Sequence, residues 1–188
     1  MKLAWLVVAA CGAAPPQSAI ESPPASWPVP AGWRAETIAF PLDFAPTLAH
    51  RGVEVIRFAP GFFDPKSAGY WSYAFAWRLD DAAQLDATAL SAELTTYFRG
   101  LVTAVDDKHR IPSLDPIVVR VSSKLVIDAT VIDAFTTAQP VRLMGTAQRH
   151  GCGDGALWIF VLQPVDKPPI SEQLNALASA ATCDTVRR

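Results

Sequence analysis

Three histidines, His50, His109 and His150, are the side chains whose ordinary pKa lies near neutrality, so proton-transfer chemistry would begin with one of them or with a displaced carboxylate. Nucleophilic chemistry needs a base within reach of a hydroxyl, and the nearest set along the chain is His50 with Asp43 or Asp64 and Ser67. The strong frames around such groups do not occur: there is no Gly-x-Ser-x-Gly, no Ser-x-x-Lys and no His-Glu-x-x-His. Glycosidic chemistry asks only for two carboxylates at a fixed separation. Asp43, Glu54, Asp64, Asp80 and Asp81 are available, but loops and helix caps use such residues routinely. His150 and Cys152 form a His-x-Cys pair, whereas a structural zinc site needs four ligands in two close pairs. The glycine-rich stretch 151–155 lacks the Gly-Lys-Ser/Thr that grips phosphate and runs into strand-like residues instead of a helix. The expectation is no catalytic residue, no metal and no cofactor.

The strongest local pattern is aromatic. Trp71, Tyr73, Phe75 and Trp77 recur at every second position, and a row of rings can hold a sugar or an apolar ligand. Arg57 and Arg78, on neighbouring strands, could supply polar contacts. Trp71, Tyr73, Trp77, Arg57 and Arg78 are therefore the ligand-binding candidates, while the same rings would also serve as core.

The elements that must position these groups read as follows. Residues 34–40 and 53–58 are strands stopped by Pro41 and Pro60. Residues 70–79 alternate most clearly, with a heavy face at Trp71, Tyr73, Phe75, Trp77 and Leu79 and a light face at Ser72, Ala74, Ala76 and Arg78. Leu90, Leu94, Phe98, Leu101, Val102 and Val105 make one apolar stripe, and Asp86 suits the N-cap of an amphipathic helix of about five turns. Residues 117–121, 125–135, 141–148 and 156–165 are β-rich, the last two separated by the 151–155 turn with its Asp-Gly step. Residues 171–182 read as a short closing helix. Strands, a helix and then a run of strands predict an α+β fold: a mostly antiparallel sheet of about six or seven strands with one long packed helix and a short C-terminal helix.

The chain has 188 residues and a formal net charge of −2, enough length for one domain with a real core and no basic patch suited to nucleic acid. The stretch 13–31 carries Pro15, Pro16, Pro23, Pro24, Pro28 and Pro30 and favours an extended, semi-rigid stalk. Trp27 within it either docks on the domain or lies at a membrane interface.

Near the start, Lys2, the apolar run from Leu3 to Val7 and Val8-Ala9-Ala10-Cys11 have the layout of an export signal, and the Cys at the cut resembles the lipobox of bacterial lipoproteins. That resemblance implies acylation of Cys11, removal of residues 1–10, and attachment to the membrane through lipid. Residues 3–10 are too few for a hydrocarbon core that needs about 20 apolar residues. Gly at position 12 gives no inner-membrane retention signal of the enterobacterial kind, so the outer membrane is favoured in a Gram-negative cell. With Cys11 assigned to lipid in an oxidising compartment, Cys152 and Cys183 remain as a disulfide pair worth about 3.5 kcal/mol by loop entropy. The organisation is then a signal over 1–10, a tether over 11–32 and one α+β domain over 33–188. The expected function is a non-catalytic binding or assembly module of the cell envelope, partnered by an envelope protein or a small apolar ligand. The alternatives are an anchored hydrolase with dispersed residues and a carrier whose cavity lies between sheet and helix.

Overall fold

A computed structural model of the chain describes residues 26–81 and 84–187. Seven antiparallel strands form one sheet, in spatial order β1-β2-β3-β7-β6-β5-β4. They are β1 (Arg34–Phe40), β2 (Gly52–Phe58), β3 (Tyr73–Leu79), β4 (Val118–Val121), β5 (Val126–Ile132), β6 (Pro140–Cys152) and β7 (Gly155–Pro164). Helix α1 (Ala87–Val105) carries the chain from β3 to the far edge at β4, and α2 (Ser171–Ala180) follows β7. The fold is α+β.

Alternation in β3 divides the molecule. Tyr73, Phe75, Trp77 and Leu79 lie on the face covered by α1, in a cluster with Phe160 and Trp158 of β7, while Ala74 and Ala76 belong to a second, smaller cluster with Leu174, Leu177 and Ala178 of α2. Small side chains on the second face let α2 approach closely. Phe75 stacks on Phe160 at 4.4 Å between ring centroids and on Tyr97 of α1 at 5.8 Å. A fully buried ring of this kind costs about 3–5 kcal/mol to truncate to alanine.

Helix α1 starts where expected. The Asp86 carboxylate accepts from the Ala89 N–H at 2.8 Å, and the buried stripe is Leu90, Leu94, Tyr97, Phe98 and Val102. The helix also closes one edge of the sheet, because the Val121 and Val119 N–H groups of β4 donate to Ser91 Oγ at 2.9 Å and Thr95 Oγ1 at 3.3 Å. At Gly100 it passes so close to the loop after β1 that an added Cβ would stand 2.0 Å from the Phe44 carbonyl oxygen.

Three boundaries differ from the pattern-based reading. Trp71 does not belong to β3: its φ is 48° and its N–H bonds to the Phe62 carbonyl, so residues 59–72 form a chain of turns and the strand begins at Tyr73. Strand β5 stops at Ile132 because the Asp133 side chain gathers the N–H groups of residues 135–137. The hairpin break is narrower than 151–155. Gly151 and Cys152 remain in β6, paired with Ala156 and Gly155, and Gly153 at φ 62° takes the first central position of a two-residue turn.

On the α2 face, Cys152 and Cys183 stand at disulfide distance with Cα atoms 5.7 Å apart. Trp27 docks beside them, 1 % exposed, its Nε1–H donating to the Leu177 carbonyl at 2.9 Å. Cys11 lies outside the described residues, and no helix among the described residues is long and apolar enough to cross a membrane.

Candidate functional site

Between the C-terminal half of α1 and the β1–β3 end of the sheet lies a partly enclosed cavity of about 240 Å³. Its floor is made by alternate residues of β1 and β2, Ile38 with Ile56 and Phe58, and its roof by Tyr97, Leu101 and Val105 of α1. The turn at 59–63 closes one side because Phe62 packs among Phe58 at 4.7 Å, Trp71 at 5.4 Å and Tyr73 at 5.5 Å. Phe135, from the turn after β5, meets Phe63 at 5.1 Å. Eight of the lining side chains are aromatic, and Glu36 is the one charged residue among them. The guanidinium of Arg34 lies over the Phe63 ring, 5.1 Å from its centroid, without joining the lining.

Behind this wall stands Glu54. It is paired in register with Ile38 on one side and Trp77 on the other, and it is 0 % exposed. Trp77 Nε1–H donates to Oε1 at 3.1 Å, but Oε2 has no hydrogen-bond partner among the described residues. Burial pushes the carboxyl up to about 7, against the opposing pull of Trp77 and of the Tyr97 hydroxyl, which lies near without completing a hydrogen bond to Oε2. Burial, with the nearby Glu54 charge, also raises the phenols of Tyr73 and Tyr97 well above their ordinary values. Trp158, opposite Trp77 on β7, likewise leaves its buried Nε1–H unpaired.

The structure divides the ligand candidates. Trp71 and Tyr73 line the cavity, whereas Trp77 is fully buried beneath it against Glu54. Arg57 and Arg78 point to the α2 face. Arg57 clamps the chain before β1 through the Trp27 carbonyl at 2.6 Å and the Pro28 carbonyl at 2.8 Å, with its guanidinium 4.7 Å over the Trp27 ring. Arg78 donates to the Leu79 carbonyl at 2.7 Å. The polar groups beside the rings are therefore carboxylates, phenols and the Arg34 guanidinium over Phe63, and not Arg57 or Arg78.

His50 meets different partners from those nearest in sequence. Its Nε2 is 2.9 Å from Glu93 Oε2 of α1 and its Nδ1 is 3.8 Å from Asp81 Oδ2, while Asp64 and Ser67 are engaged in the turns after β2. Thr47 and Thr96 border the same shallow groove, so a histidine, carboxylates and hydroxyls do converge there. Glu93, chiefly by hydrogen bonding, raises the imidazole pKa against the lowering effect of burial. Glu93 thus engages Nε2 by a hydrogen bond, while Asp81 stands only at ion-pair distance from Nδ1. Among the described residues no group of three or more His, Cys, Asp or Glu is placed to hold a metal ion.

Sequence reasoning passed over Phe62, Phe63 and Phe135, because rings on turns carry no period, and over Phe58 at the end of β2. Glu54 left a usable signal: it shares a face with Ile56 and Phe58 in a strand whose pattern is otherwise apolar there. The chain matches no known protein-family model, no curated protein and no solved structure.

Proposed function

We propose that this protein is a non-catalytic binding module of the cell envelope, held to the membrane by lipid on Cys11 and spaced from it by the proline-rich tether, which takes up a small apolar ligand between α1 and the sheet. One observation carries the reading: a cavity of about 240 Å³ lined by eight aromatic side chains and a single charged one. Binding pockets are concave, mostly apolar and sparing in polar groups, and a dry apolar cavity of roughly 150 Å³ is enough for one aromatic ring. The clamp on Trp27 lies on the opposite face of the sheet from the cavity.

The test uses the Cys11→Ser chain purified without detergent and titrated with N-phenyl-1-naphthylamine. Saturable binding of one equivalent is expected, weakened at least tenfold by Leu101→Trp in a chain whose circular dichroism is unchanged. Failure of the parent to bind the probe overturns the ligand reading. Labelled palmitate should enter the wild-type chain and not the Cys11→Ser chain; equal labelling overturns the anchor.

A further inference from the structure

We infer that the ligand is an apolar cation, a small aryl or alkyl ammonium compound, selected over neutral and anionic molecules of the same shape by the carboxylates of Glu36 and Glu54. The inference rests on the proposed ligand cavity and names what it selects. Two independent features point the same way. The first is the wall: ring faces carry negative quadrupole potential and attract a cation most strongly where water is excluded. The protein's own Arg34 already lies over the outer ring, Phe63. The second is the distribution of charge. Glu36 is the one charged lining residue, and no lysine, arginine or histidine joins it.

Glu54 adds to this from behind the wall. It sits in register between Ile38 and Trp77 and one pleat from Ile56; Ile38 and Ile56 are both lining residues. No cation pairs with it among the described residues, and its Oε2 is unpartnered and wholly buried. A buried carboxylate with one donor for two oxygens costs the fold stability unless a positive charge is brought near. A cation in the cavity supplies it through low-dielectric surroundings, where a charge acts over a longer reach than in water. An anionic amphiphile, such as a fatty carboxylate, would meet repulsion from both glutamates.

The test is a competition against N-phenyl-1-naphthylamine using an isosteric pair: phenyltrimethylammonium, and tert-butylbenzene, in which carbon replaces the charged nitrogen. Benzenesulfonate serves as the anionic probe. The cation should bind at least tenfold tighter than its neutral isostere, and the sulfonate weakest. Glu36→Gln, at an exposed position, and Glu54→Gln, which keeps an acceptor for Trp77, should each weaken the cation severalfold and leave tert-butylbenzene unchanged. If the neutral compound binds as tightly as the cation, or if neither glutamine variant lowers cation affinity, the inference falls while the apolar cavity stands. If none of the three displaces the probe and the probe itself does not bind, the cavity reading falls with it.

Discussion

Two carboxylates, Asp133 and Glu54, are wholly buried among the described residues, and they are treated in opposite ways. Asp133, in the turn after β5, accepts from the N–H groups of Phe135, Thr136 and Thr137 and from the hydroxyls of Tyr70, Thr136 and Thr137. Burial raises its pKa, but these donors outweigh it and hold the carboxyl at about 2. Glu54 has one donor, and there burial wins, at about 7. The same chemical group is thus spent on architecture at one place and left unsatisfied at the other. Asp133 organises a turn and, through Tyr70 Oη at 2.8 Å, ties it to the 59–72 turns that wall the cavity. Glu54 organises nothing comparable, which is the reason to look for an external partner beside it.

The comparison breaks first at Asp133. Asp133→Ala strands several buried donors at once, and a loss of about 4 kcal/mol is expected from urea denaturation at pH 7. A loss below about 1 kcal/mol would mean that the turn does not depend on this carboxylate. The pH dependence sharpens the point, because the folded pKa of Asp133 lies below its unfolded value near 4. Its contribution is therefore complete above that value and falls away as pH drops toward 2.

Glu54 has the reverse sign. A folded pKa of about 7 against an unfolded value of 4.5 means that the native state binds the proton more tightly, so stability from this group is lost as pH rises from 4.5 through 7. Glu54→Gln should accordingly stabilise the empty protein by roughly 2–3 kcal/mol at pH 8.5 and by little at pH 4, as read from denaturation midpoints at the two pH values. Equal effects at both would show that Glu54 is not a buried acid under strain. Saturating phenyltrimethylammonium should shrink the pH 8.5 gain.

A second contrast separates packed from cavity-lining aromatics. Phe75→Ala, at a fully buried ring stacked on both sheet and helix, should cost about 4 kcal/mol. Phe63→Ala, at the partly buried rim, should cost about 1 kcal/mol while weakening the apolar probe. Equal costs would mean that the rim is as tightly packed as the core.

Regular elements were legible in the sequence because their period is physical. The alternation from Tyr73 to Leu79, the Asp86 cap and the stripe of α1 all carry the 2.0 or 3.6 repeat of the backbone that bears them. The same alternation already separates Arg78 from Trp77 within one strand. What it could not supply was register. Only the pairing of Glu54 with Trp77 and of Arg57 with Ala74 assigns one to the α1 face and the other to the α2 face. The cavity wall was the least legible part, since Phe62, Phe63 and Phe135 sit on turns where no repeat links sequence to side.

His50 provides the mildest test of the contrast between satisfied and unsatisfied charge. It lies at the end of the sheet beyond Glu54, its ring 6.5 Å from that of Trp77, and fastens the loop after β1 to α1 through Glu93. Its folded pKa is raised, so the stability it contributes is present in full below the unfolded value of 6.5 and is lost as pH climbs through the folded one. Glu93→Gln should therefore cost about 1 kcal/mol at pH 5.5 and close to nothing at pH 9. The slope opposes that of Asp133 and runs in the same direction as that of Glu54, so a double variant with Glu54→Gln distinguishes them. If the two sites are independent, their effects add within about 0.5 kcal/mol at each pH. If the Glu93 variant also changes affinity for phenyltrimethylammonium, the helix is being held in place over the cavity by its first half, and the ion pair at His50 sets the height of the roof.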